Sequence, residues 1–271
     1  MSDGLERAAR WLAEADGLLV NAGAGMGIDS GLPDFRGPGG FWAVYPALGR
    51  ARIDFTSIAN PAAFARDPRL AWGFYGHRLA LYRATAPHAG FGELLHLGSA
   101  LAQGVFAFTS NVDGHFQKAG FAAERVCEIH GSIHHLQCVA GCSESIWPAD
   151  AFLPDVDADA CRLRNDPPLC PRCGALARPN ILMFGDWGWI ERRTLLQEQR
   201  LQRWLAGVAR LVCIEIGAGS QIPTVRHFSE TCGGRLIRIN PNEADVPRGI
   251  EAISLACGGL EGINRLLAAC R

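Results

Sequence analysis

Ten cysteines occur in this chain of 271 residues, and four of them fall into two close pairs, Cys138 with Cys142 and Cys170 with Cys173. Cys170-Pro171-Arg172-Cys173 is a CxxC turn, in which two thiolates can point at one ion while backbone N–H groups support their charge. Cys138 and Cys142 stand one residue further apart, still within the spacing that zinc ligands use. Four thiolates close a tetrahedron and leave no position for water, so the pattern predicts one structural zinc ion with no part in chemistry. Two other readings exist, four buried reduced thiols or a redox pair at Cys170 and Cys173. The proline-rich surroundings, and the lack of a strand leading into a helix at the CxxC, speak for the metal. A disulfide framework suits small secreted domains, and Cys127, Cys213 and Cys232 read as packing thiols.

A second chemical pattern is the turn Gly23-Ala24-Gly25-Met26-Gly27, which follows the apolar run Leu18 to Asn21. Such a turn lets the backbone approach a pyrophosphate, whose charge a following helix N-terminus favours. It departs from GxGxxG, because Ile28 holds the last glycine's place and no acidic residue clearly ends a second strand about 20 residues on. An ordinary dehydrogenase is therefore disfavoured. Three further apolar runs end in polar tips: Val105 to Phe108 leads into Thr109-Ser110-Asn111, Leu211 to Ile216 into Gly217-Ala218-Gly219-Ser220, and Leu236 to Ile239 into Asn240-Pro241-Asn242. In an open parallel sheet ligands bind beyond the carboxyl ends of the strands, so the four tips should meet round one site.

The elements that must position these residues follow from periodicity. Gly4 to Ala15, Gly92 to Leu101, Glu191 to Val208 and Gly259 to Ala269 have helical spacing, and their alternation with the apolar runs predicts an α/β fold, a Rossmann-like doubly wound parallel sheet. Two stretches depart from the alternation: 38–87, aromatic and helical in period, and 132–179, which holds the cysteine pairs. They are expected to be a helical insertion and a small zinc-binding module, with 1–37, 88–131 and 180–271 forming the nucleotide-binding domain.

The turn continues as Asp29-Ser30-Gly31-Leu32-Pro33-Asp34-Phe35-Arg36, and Thr109-Ser110-Asn111-Val112-Asp113, Glu128-Ile129-His130-Gly131-Ser132 and the cysteine pairs follow in order. In that sequence they resemble the sirtuins, the NAD-dependent protein deacylases, over nearly the whole chain. The resemblance implies that NAD and acyl-lysine are the ligands. Ala24 and Gly25 would lie under the diphosphate, with Gly23 a further cofactor-binding residue. Phe35 would lie over the nicotinamide ring and Arg36 near the adjacent ribose and phosphate, with Asp34 a further cofactor-binding residue. Asn111 and Asp113 would form the carboxamide pocket, Ser110 would bind the cofactor near the ribose or phosphates, and His130 would be the general base. Gly217 and Ser220 would border the nicotinamide ribose and phosphates, Asn240 would contact the adenosine ribose, and Cys257 would fall in the loop that meets adenine. Catalysis would then rest on His130, Asn111 and Asp113. An imidazole titrating near neutrality can take a proton from a ribose hydroxyl, which lets the acyl group leave as O-acyl-ADP-ribose. Asp34 and Asp113 are also of a type that caps helices and turns.

Some positions depart from the family pattern. Gly27, Ser110 and Ala218-Gly219 each lack a side-chain hydrogen-bond partner found in the family, a loss worth about 1 kcal/mol where water cannot substitute. Phe184-Gly185-Asp186 resembles the segment that pairs with substrate backbone, with aspartate in place of glutamate. Tyr75 and Arg78 resemble the Tyr-x-x-Arg pair of the branch that removes malonyl and succinyl groups. Three apart on a helix, they share a face, and arginine could hold a distal carboxylate bidentately. Read without the resemblance, Tyr75 packs in a core and Arg78 is a solvated charge. ADP-ribosyl transfer or NAD cleavage on the same scaffold is the alternative activity.

Charge excludes other classes. The 26 basic and 27 acidic residues give no field that would draw the protein to nucleic acid or an anionic membrane. The first 16 residues carry charges throughout and lack an export pattern, and no apolar run nears the about 20 residues of a membrane span. A cytoplasmic protein acting on acylated lysines in proteins or peptides is the expectation.

Overall fold

The computed structural model describes residues 2–33 and 40–271. Among them six strands form one parallel sheet: β1 (Gly17–Ala22), β2 (Val105–Thr109), β3 (Val126–Glu128), β4 (Leu211–Ile216), β5 (Arg235–Ile239) and β6 (Ala252–Leu255). Their order is β6-β5-β4-β1-β2-β3, the doubly wound arrangement, with its switch point between β1 and β4. Sequence periodicity indicated β1, β2, β4 and β5. It did not indicate β3 and β6, which are edge strands of three and four residues, too short to show a period.

Every residue of β1 is buried, as a central parallel strand covered on both faces requires. Its side chains alternate between two cores. Leu18 and Val20 pack with Trp11, Phe91 and Ile263, from helices Ser2–Glu14, Ala89–Ser99 and Gly259–Ala269. Leu19 packs on the other side with Leu201, Trp204 and Val225, from helices Arg192–Leu205 and Thr224–Thr231. The glycine turn after β1 opens a helix, as the sequence indicated, and it is a 3-10 helix, Ala24–Ser30. Three glycines between positions 25 and 31 weaken an α-helix there, and Gly31, at φ 84°, ends the turn.

A third core joins helix Pro68–Ala84 to a three-stranded antiparallel sheet, ordered Ile146–Pro148, Gly131–Cys138, Ala177–Ile181. Asp67 caps the helix through the Leu70 N–H, and Pro68 takes its first position. Trp72 donates from Nε1 to the Ala177 carbonyl at 2.9 Å. Gly73 lets the backbone at Cys161 lie against the helix, since a Cβ there would stand 2.0 Å from the Cys161 oxygen.

The four paired cysteines lie beside this sheet. Cys138 and Cys173 have sulfurs 3.6 Å apart, as do Cys142 and Cys170, and all four lie within 4.8 Å of one another. Zinc–sulfur bonds of about 2.3 Å in a tetrahedron require sulfurs about 3.8 Å apart, so the donor set fits a structural zinc. Backbone N–H groups of Cys173, then Arg172, bring the Cys170 thiol down to about 7. Cys161 stays outside the cluster, a thiol that burial pushes up to about 12.

One buried ion pair crosses the main sheet. Glu215 of β4 and Arg238 of β5 are register partners with fully buried side chains, joined by Nε to Oε1 at 2.6 Å and Nη2 to Oε2 at 2.9 Å. Glu230 accepts from Nη2 at 2.7 Å. Removing one member strands a buried charge, so Arg238→Met should cost about 3–5 kcal/mol in urea unfolding, and adding Glu215→Gln should recover part of it. Cys170→Ala should eliminate the bound zinc measured by elemental analysis and lower the melting temperature; full zinc content in that variant would rule out the four-thiolate site.

Candidate active site

At the switch point the loops after β1 and β4 meet backbone to backbone. The Gly25 N–H donates to the Gly217 oxygen and the Gly23 N–H to the Ile216 oxygen, both at 3.0 Å. A Cβ on Gly23 would lie 2.6 Å from Ala218 Cα, and one on Gly25 2.7 Å from Gly217 Cα. Gly217 itself has φ of 61°, and its Cβ would lie 2.4 Å from Gly25 Cα. No side chain fits at any of the three, which leaves a cradle of bare backbone of the kind a diphosphate requires.

The tip of β2 is fastened to that cradle. Asn111 donates from Nδ2 to the Gly23 oxygen at 2.8 Å, while Thr109 Oγ1 donates to the Ala22 oxygen at 2.9 Å and accepts from the Asn111 N–H. Asp113 is buried, and its Oδ1 accepts from the His115 N–H at 2.9 Å. His134 Nε2 lies 2.8 Å from the Asp113 carbonyl, which only accepts, so His134 carries its proton on Nε2. His130 follows β3, whose end is held by the helix Arg192–Leu205. There Arg193 pairs with the Glu128 carboxylate, Thr194 donates to the Glu128 carbonyl, and Gln197 accepts from its N–H.

Asn111, Asp113 and His130 line one cavity of about 280 Å3. Ala24, Ser110, Asn111, Asp113 and His130 form its polar end, Phe184 flanks it, and Tyr75 and Arg78 reach it from the helix Pro68–Ala84. Tyr82 lines it too, and the remaining walls are apolar, including Phe55, Ile181 and Met183. Burial raises the Tyr75 phenol above its ordinary range, so it remains a neutral hydroxyl. For Arg78 burial opposes the charge, but the oxygens of Tyr82, Tyr75 and Tyr45 outweigh it and the group stays cationic. Arg78 is half-buried against these rings and so is not a solvated surface charge, whereas Tyr75, 1% exposed, does pack in the core as the reading without the resemblance had it. Gly185 adjoins Phe184 at the mouth, with φ of 62°.

Asp186 is held inside by a buried fork with Arg178, Nη1 to Oδ2 at 2.7 Å and Nη2 to Oδ1 at 2.8 Å. That pair fixes the bend carrying Phe184 and Gly185, and the shorter acid reaches Arg178 without leaving the turn.

Other residues singled out from sequence lie apart from this cavity. Asn240 donates from Nδ2 to the Ala218 oxygen at 3.0 Å, beside the cradle. The Ser220 N–H donates to the Glu243 carboxylate at 2.7 Å, so a phosphate using that N–H has to displace it. The Cys257 side chain is buried in the core against β4 and β5, which leaves its backbone for any contact with adenine. Asp34, Phe35 and Arg36 lie outside the described residues. Sequence reasoning missed Tyr82, Arg178 and Glu243. Tyr82 alone had a local signal, four residues beyond Arg78 on the same helical face.

Comparison with known proteins places this geometry. The family model described as the Sir2 family matches residues 23–200. A protein of Aeropyrum pernix named NAD-dependent protein deacylase is 32% identical over 264 residues, covering 95% of this chain and 94% of the relative. Another from Pyrobaculum aerophilum, named NAD-dependent protein deacylase 2, is 34% identical over 235 residues, 84% of this chain and 81% of the relative. A solved structure described as a Sir2 homolog–NAD complex superimposes with a TM-score of 0.72 at 25% identity, covering 97% of this chain and 93% of that one. With the doubly wound sheet, the glycine cradle and the four-thiol cluster alongside these matches, the chain belongs to the Sir2 family.

Proposed function

We propose that this chain is an NAD-dependent protein-lysine deacylase that releases nicotinamide, deacylated lysine and O-acyl-ADP-ribose, with a preference for short acidic acyl groups. The observation that carries this reading is convergence. His130, Asn111, Asp113, Tyr75 and Arg78 come from separate parts of the sequence and line one cavity beside a backbone cradle. The names of the curated relatives support the deacylase activity.

Gly23, Ala24, Gly25, Gly217 and Ser220 would hold the diphosphate and Asn240 the adenosine ribose, and Asp34, Phe35 and Arg36 are assigned to the cofactor by the family motif. Bound NAD would supply an electrophilic ribosyl carbon with nicotinamide as its leaving group. Around it each residue has a definable task. Asn111 and Asp113 bind the carboxamide, and the His115 N–H on Oδ1 orients the Asp113 carboxylate for that contact. Apolar walls exclude water, so the weakly nucleophilic acyl oxygen does not compete with it. His130 accepts a proton from a ribose hydroxyl. Phe184 and Gly185 take the peptide backbone beside the lysine. Tyr75 donates from its hydroxyl and Arg78 pairs with a distal carboxylate on the acyl chain.

Nicotinamide release should depend on an acyl-lysine peptide, and His130→Ala should slow steady-state formation of deacylated lysine by about 10²–10⁴-fold at saturating NAD. Release at the same rate without peptide would replace deacylation by NAD cleavage. Arg78→Ala should reduce the succinyl-to-acetyl ratio of kcat/KM by at least about tenfold, and an unchanged ratio would remove the acidic-acyl assignment.

A further inference from the structure

The chain has three tyrosines, Tyr45, Tyr75 and Tyr82, and all three stand round one arginine. The Arg78 guanidinium lies 5.2 Å from the centre of the Phe74 ring, 5.3 Å from that of Tyr82 and 6.0 Å from that of Tyr75. Tyr45 packs edge-on against Phe74 and bonds through its hydroxyl to His77 at 2.9 Å. Tyr82 does more than pack. Its hydroxyl oxygen accepts from Arg78 Nε at 3.1 Å and from Nη2 at 2.7 Å. The Tyr82 backbone is held in turn, its carbonyl accepting from Lys118 Nζ at 2.9 Å, and the residue is 4% exposed.

This bond pattern constrains recognition. A guanidinium meets a carboxylate bidentately either side-on, through Nε and one Nη, or end-on, through Nη1 and Nη2. The Tyr82 oxygen takes the side-on edge, so bidentate contact with a carboxylate goes through Nη1 and Nη2. We infer that Tyr82 is a positioning residue for acyl selectivity, setting the Arg78 guanidinium to receive the distal carboxylate of a malonyl- or succinyl-lysine end-on. Tyr82 lines the same cavity, but its hydroxyl oxygen is engaged by Arg78, and the proposed effect on the acyl group runs through that contact. Holding a long, flexible side chain in its binding orientation beforehand reduces the entropy lost when the carboxylate arrives. The inference rests on the proposal that Arg78 faces the acyl group.

The test compares one peptide bearing acetyl-, malonyl- or succinyl-lysine, with saturating NAD, on the unaltered protein, Tyr82→Phe and Arg78→Ala. Phenylalanine keeps the ring against the guanidinium and removes only the oxygen. Tyr82→Phe should raise the ratio of succinyl KM to acetyl KM about tenfold, the malonyl ratio moving with it, while kcat changes far less. A purely structural role would weaken all three substrates together and leave the ratios in place, which would overturn the inference. If Arg78→Ala abolishes the acidic preference and Tyr82→Phe does not shift the ratios, Tyr82 has no positioning role although the pocket assignment stands. If Arg78→Ala leaves the acyl preference unchanged, both fall.

Discussion

Between β1 and β4 two loops approach so closely that no side chain can lie between them, and the rest of the site is laid out from that contact. Gly23, Gly25 and Gly217 are each confined by backbone atoms of the opposing loop. Their amide bonds join the two central strands' tips where the doubly wound order reverses. A glycine at φ of 61° gives up conformational entropy on folding, and the neighbouring strands offset that loss through their buried apolar length. Since the cradle is backbone, its shape is insensitive to side-chain motion.

Outward from the cradle, the tips are tied by side chains that bond to backbone on another strand. Asn111 holds Gly23, Thr109 holds Ala22, Asn240 holds Ala218 and His134 holds Asp113. A bond of this kind contributes about 1 kcal/mol net, but leaving a buried group without its partner costs more. The arrangement therefore favours one relative placement of the loops over many similar ones. The charged forks, Arg178 with Asp186 and Arg238 with Glu215, extend the same logic to the substrate bend and the sheet interior.

How much of this could be read from sequence depends on whether the signal is local. Central parallel strands are continuous apolar runs, so β1, β2, β4 and β5 declared themselves, along with the polar tips that follow them. Edge strands β3 and β6 are too short for periodicity, and they exist because of their neighbours. The zinc ligands were legible because their spacing is a property of two short turns. The pairs Arg178–Asp186 and Glu215–Arg238 were not, since each depends on a bend or a strand register that only the folded chain defines. Tyr75 and Arg78 drew attention through a family motif; Tyr82, one turn further on, lies outside that motif and emerged only when its oxygen was found on the guanidinium.

The gathering of every tyrosine round Arg78 gives the protein an internal spectroscopic label. Fluorotyrosine supplied uniformly during expression would place its three fluorine nuclei in this one aromatic cluster and nowhere else in the chain. Their chemical shifts would report ring currents and charge at the acyl end of the cavity, without background from the sheet or the zinc module, and without any engineered attachment. The scarcity of one residue type, a compositional accident in most proteins, here makes the substrate pocket separately observable.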